Sequence, residues 1–157
     1  MFHDPRVYRY LPYARRTDTG RELVNRGRQG ARTGTLYRFV VRTKEREEFV
    51  GSSILFQLDP QKRSAELGYA LARRQWGHGY ATESGAVLLQ WAFQRLGLRR
   101  IVATVASEND ASCRVLRKLG FRLEGRRRQA GHRGGRWADD LEFGLLKPEF
   151  RGCPAER

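Results

Sequence analysis

Lysine is nearly absent from this 157-residue chain: Lys44, Lys62, Lys118 and Lys147 are the only ones among 31 basic residues, and the rest are arginine. Cysteine occurs twice, at Cys113 and Cys153, far apart and outside any CxxC pattern, so no disulfide framework is expected. The three histidines, His3, His78 and His132, are equally scattered, and with no ligand spacing among them no metal is expected. Long apolar runs are missing too. The nearest, "AVLLQWAF", is broken by a glutamine and falls far short of the roughly 18 residues of a membrane span. The opening "MFHDPRVYRY" carries charge and proline where a signal peptide needs its apolar segment. A cytoplasmic protein without a membrane segment is the expectation.

What is present is an ordinary globular composition, 39% hydrophobic and 11% aromatic, of a length that suits one domain. The formal net charge of +14 would draw nucleic acid or acidic partners. The arginines, however, are spread along the chain and often stand beside acids, as in "KEREE", which reads as a preference for arginine codons. The charge alone supports nucleic-acid binding only weakly.

The periodicity divides the chain into a mixed α/β order. Residues 17–29 read as a short helix capped by Thr17 or Asp18 and weakened by Gly20. The alternating "LYRFVVR" (36–42) and "FVGSSILFQL" (49–58) predict a hairpin, and "SAELGYALA" (64–72) a third strand. The period then changes. Ala81, Gly85, Leu88, Leu89, Ala92, Phe93 and Leu96 recur at helical spacing over 79–96, ending at Gly97. A strand over 99–105 follows, then a helix over 109–120 capped by Asn109 or Asp110 and stopped by Gly120. Two weakly alternating strands, 121–130 and 136–146, finish the domain.

Between the third strand and the long helix stands "RRQWGHGYA". Gly77 and Gly79 permit a curled backbone whose N–H groups point outward, and the helix start adds partial positive charge. Such a nest binds phosphate, although a lone GxG is a weak signal. Four linked segments strengthen it: "AELGYAL", "WGHGYATE", "VASENDASCRVLRKLGFRLEG" and "GGRWADDLEFGLL". In order and spacing they resemble the GNAT superfamily of N-acetyltransferases, in the RimJ/RimL subgroup that acetylates ribosomal-protein N-termini. Arg74, Gly77 and Gly79 match that superfamily's R/Q-x-x-G-x-G/A motif.

The resemblance implies an N-acetyltransferase domain over residues 4–147 with a tail at 148–157, and a mixed sheet splayed between strands 64–72 and 99–105. It implies acetyl-CoA in that gap, its pantetheine arm along Ala70, Leu71 and Ala72. The pyrophosphate would lie on the amides of Gln75, Trp76, Gly77, His78, Gly79, Tyr80 and Ala81, with Arg74 beside them and His78 turned outward. Asn109 and Ser112 match the family's N-x-x-S, Asn109 toward the cofactor and Ser112 as proton donor to the thiolate; both could instead serve only as helix caps. Where some relatives carry an acidic base this chain has Gly131, which leaves Glu66, His132 or neither as the base. Cys113 needs no role, since direct attack uses no enzyme nucleophile. The strand that usually begins this subgroup is absent from these residues, so 36–42 is expected at an open sheet margin, with a homodimer as one outcome.

The implied partner is an amine substrate: a peptide α-amine such as a ribosomal-protein N-terminus, with a small amine or polyamine as the alternative. A binding module that has lost its chemistry and holds RNA or ribosome through "RRRQAGHRGGR" (126–136) is the competing class. That run has no aromatic until Trp137, unlike a base-stacking surface.

Overall fold

A computed structural model describes residues 4–10, 20–133 and 135–152. The chain folds as α1 (Pro5–Tyr8), α2 (Gly20–Thr33), β1 (Tyr37–Arg42), β2 (Phe49–Asp59), β3 (Ser64–Leu71), α3 (Tyr80–Arg95), β4 (Arg100–Ala106), α4 (Asp110–Lys118), β5 (Arg122–Arg133) and β6 (Arg136–Leu146). Single 3₁₀ turns follow β3 at Arg73–Gln75 and β6 at Lys147–Glu149. Helix α1 was not foreseen, although its signals are local: Asp4 Oδ1 accepts from the Arg6 amide at 2.9 Å, and Pro5 opens the first turn. The expected caps Thr17 and Asp18 lie outside the described residues, as does Cys153. Helix α2 runs four residues past its predicted end, to Thr33, before Gly34.

The six strands form one mixed sheet in the order β1-β2-β3-β4-β6-β5. Every neighbouring pair is antiparallel except β3 and β4. Alternation sends Ala65, Leu67, Ile101, Ala103, Val105, Phe143 and Leu145 to one face, where they meet Ala86, Leu89, Phe93, Cys113 and Leu116 of α3 and α4. Leu89, Ile101 and Phe143 are fully buried. Each such side chain contributes about 1.5–3 kcal/mol of transfer free energy. Helix α2 lies on the opposite face, against β1: Gly27 sits over Arg38, and Gly30 packs so closely on Leu36 that a Cβ would collide. Packing continues past residue 147, since the Phe150 ring lies 5.5 Å from Phe93. Among the described residues no helix is long and apolar enough to cross a membrane.

As expected, β1 is an outer strand of the sheet, and Val40 on it is 56% exposed. An uncovered strand edge pairs readily with another chain. Self-association is the expected outcome unless Arg38 and Arg42 oppose it. Size-exclusion chromatography with light scattering decides the point, and a monomer at high concentration counts against an open edge.

Candidate active site

The sheet divides in its middle. Strands β3 and β4 are paired only at Ser64–Arg100, Ala65–Ile101 and Glu66–Val102, after which β3 continues to Leu71 and β4 to Ala106 without further pairing. The result is a slot with its vertex at Glu66. On β3 the Ala72 amide donates to Val50 at 2.8 Å, so by antiparallel alternation Ala70 and Gly68 also turn their backbone groups to β2. Ala72 spends its carbonyl as well, on the Gln75 amide at 2.8 Å. The backbone edge facing the slot therefore belongs to Leu67, Tyr69 and Leu71 rather than to residues 70–72 together. The Leu71 carbonyl accepts from the Trp76 indole at 3.0 Å, which pins the loop to the strand.

At the slot's wide end the loop takes the expected curl. Gly77 and Gly79 have φ of +81° and +84°, a region that β-branched side chains rarely enter, and nothing lies within 4 Å of either Cβ position. Gly79 is the N-cap of α3 and offers no side chain to its amides. The amides of Gln75 and Trp76 bond inward, to Ala72 and Arg73. Those of residues 77–81 donate to no protein acceptor among the described residues, which narrows the predicted nest to Gly77 through Ala81. Arg74 is exposed beside it, and His78 is exposed with its ring stacked 5.8 Å from Tyr80. A depression between α3, α4 and the turn after β6 is lined by Thr82, Arg117, Lys118, Arg122 and Arg151, and by Glu149, which pairs with Arg122 at 3.1 Å.

On the core face, Asn109 Oδ1 caps α4 by accepting from the Ser112 amide at 3.1 Å. The cap thus uses the serine backbone and leaves its hydroxyl for another partner. That partner is Tyr69, whose phenol oxygen lies 2.7 Å from Ser112 Oγ. Burial pushes the Tyr69 pKa up to about 12, so the phenol keeps its proton. Tyr69 was missed in the sequence, although a tyrosine in the apolar phase of a strand must find a partner for its hydroxyl. Cys113 is in the core and burial raises its pKa, the opposite of an activated thiolate.

On the opposite face Glu66 is buried, not solvent-facing. Burial pushes its carboxyl above the ordinary range, and hydrogen bonding to Thr104 with the charge of Arg127 offsets this only in part. His132 is exposed at the end of the β5–β6 hairpin, edge-on to Trp137 with ring centroids 5.1 Å apart. Trp137 stands seven residues along β6 from Gly144, the partner of Val102. At about 3.4 Å per residue His132 is some 24 Å from the level of Glu66. The structure brings Ser112, Asn109 and Tyr69 together and leaves His132 apart. Much of the basic run is spent internally: Arg126 pairs with Asp139 at 2.6 Å, Arg127 with Glu142 at 2.8 Å and Arg133 with Asp140 at 2.6 Å.

Residues 1–122 match the family described as "Acetyltransferase (GNAT) domain". The uncharacterized N-acetyltransferase p20 of Bacillus licheniformis is 34% identical over 151 residues, covering 95% of this chain and 85% of that protein. RimJ of Mycobacterium smegmatis, solved in complex with CoA-disulfide, superposes with a TM-score of 0.83 at 28% identity over 96% of this chain and 75% of its own. The spermidine N-acetyltransferase of Vibrio cholerae, in complex with CoA and spermine, gives 0.84 at 23% identity over 94% and 86%, a likeness of fold.

Proposed function

We propose that this chain, which belongs to the acetyltransferase (GNAT) domain family and is an N-acetyltransferase, moves acetyl from acetyl-CoA to the α-amine of a peptide or protein N-terminus. The observation that carries the reading is the split after Glu66, which opens a slot with unspent amides at its mouth and different chemistry on its two faces. The residues present fit the donor. Gly77 through Ala81 would hold the pyrophosphate, Leu67, Tyr69 and Leu71 would pair with the pantetheine arm, and Asn109 would reach it with its side-chain amide. Arg117, Lys118 and Arg151 in the depression beside Thr82 suit the nucleotide phosphates, Arg122 being paired with Glu149.

Acetyl-CoA supplies the thioester, and the protein supplies positioning and proton handling. Glu66, on one face of the slot, takes the proton from the incoming ammonium through a water molecule. Ser112, on the other face, gives its proton to the thiolate released as the C–S bond breaks and takes one in turn from Tyr69, which donates to Ser112 Oγ. The second proton, shed by the new amide nitrogen, passes through solvent and restores the phenol. A peptide acceptor is supported by the likeness to RimJ over nearly the whole chain. Turnover assays should show acetylation of free-N-terminal peptides and none of N-blocked ones. Preference for spermidine would move the acceptor to polyamines, and no turnover with any amine would sink the reading.

Acetyl-CoA should also raise the melting temperature, by about 2.7 kcal/mol of added stability at a hundred times Kd. Gly79→Val should abolish most of that shift, because its side chain is strained at φ +84° and stands between the amides and the phosphates. An unchanged shift in a variant that still melts cooperatively would place the donor elsewhere.

A further inference from the structure

Past Glu66 and Val102 the two middle strands stop pairing, and the first backbone donor of β4 left without a strand partner is the Thr104 amide. The Ser107 amide donates to the Asp139 carbonyl at 2.9 Å, so Val105 and Ala103 also turn their backbone groups to β6, and Thr104 turns its own to the slot. Continued parallel pairing would give the Thr104 amide to the Leu67 carbonyl. It goes instead to the carboxyl of Glu66, which also takes the Thr104 hydroxyl. Two residues along β4 from Val102, the Thr104 side chain stands on the same face as Glu66. Glu66 is 6% exposed, and a carboxylate so far from water needs donors to stay charged. Its neighbours on β2, Phe56 and Ile54, offer none. The charged groups that act on it are Arg127 of β5 and Glu142 of β6, of opposite sign and joined to each other through Arg127 Nε at 2.8 Å. Arg38 of β1 shares the face two strands away.

We infer that Thr104 is the positioning residue of the base, holding the Glu66 carboxylate across the split with its amide and hydroxyl and so fixing it at the vertex, where the amine arrives. The inference rests on Glu66 serving as the base and deepens that reading. An ionised carboxylate has about four acceptor positions, so two donors from Thr104 leave room for the water that carries the amine's proton. The amide belongs to the main chain and survives substitution. The hydroxyl does not. Both donors favour the charged form, so losing the hydroxyl raises the pH at which Glu66 begins to act.

Thr104→Val keeps the β-branched shape and removes only the hydroxyl, whereas Thr104→Ser keeps the hydroxyl. With an unblocked pentapeptide at saturating acetyl-CoA, kcat/KM is followed against pH in wild type and both variants. The series is repeated in Glu66→Gln with and without Thr104→Val. Thr104→Val should move the acidic limb to higher pH and lower kcat/KM on that limb by about 10–100-fold, the range for one hydrogen bond to a charged group. Thr104→Ser should return the limb to its wild-type position. In the Glu66→Gln background the valine should cost nothing more, as expected of two groups that act as one unit. A wild-type limb in Thr104→Val, a serine variant as slow as the valine one, or a further loss in the double variant overturns the inference and leaves the acetyltransferase intact. Absence of transfer to any amine, or an acidic limb that survives Glu66→Gln, overturns the choice of base and this inference with it.

Discussion

Ser112→Ala is expected to lower kcat by about 10²–10⁴-fold, the usual cost of losing a general acid. Acetyl-CoA affinity should change far less, because the hydroxyl matters mainly once charge develops on the leaving sulfur. The structure makes the substitution clean. Asn109 caps α4 through the Ser112 amide, which alanine retains, so the helix keeps its start. What is lost is the hydroxyl 2.7 Å from Tyr69. Tyr69→Phe should cost less than Ser112→Ala, since the serine still reaches the thiolate. The double variant should be no slower than Ser112→Ala alone, the non-additivity expected of two groups that act as one unit. Full activity in Ser112→Ala would remove the proton donor from the mechanism and leave positioning in its place.

Glu66→Gln is the second large effect expected, again about 10²–10⁴-fold on kcat/KM. Activity in the wild type should rise with pH as the carboxyl ionises. Burial lifts that carboxyl, so the acidic limb should sit above the ordinary carboxylate range and vanish in the glutamine variant. The same shift fixes a sign for stability. A carboxyl raised in the folded state holds its proton more tightly there than in the unfolded chain. Its contribution is complete below the unfolded pKa and is lost as pH rises through the folded pKa. Once the pH has risen through that folded pKa the wild type keeps a buried charge that the glutamine variant lacks, and there Glu66→Gln should melt no lower than wild type while turning over far more slowly. Undiminished activity in Glu66→Gln together with an inactive His132→Ala would transfer the base to the hairpin.

Much of the architecture follows from the sequence because its signals are local. The change from period two to helical period after residue 79, the Asn109 cap and the glycines at 97 and 120 depend on a few neighbouring residues, and the observed boundaries of α3 and α4 lie within two residues of those signals. The Gly77–Gly79 curl is of the same kind, a backbone preference written in two residues. The segments of the GNAT resemblance were likewise legible. The site was legible only in part. Tyr69 and Ser112 stand 43 residues apart and meet because β3 and α4 flank the same slot. The side chain of Glu66 is buried by Thr104 and the neighbouring strands, and nothing in "AELGYAL" distinguishes it from a glutamate turned to water. Arg133 reads as one cation in a basic run. Only strand register sets it over Gly131 against Asp140. Periodicity and caps are settled within a turn or a strand. The end of the β3–β4 pairing, and with it the slot and what lines its two faces, is settled by contacts between residues distant in sequence, whose burial and charge exist only once the sheet has closed around them.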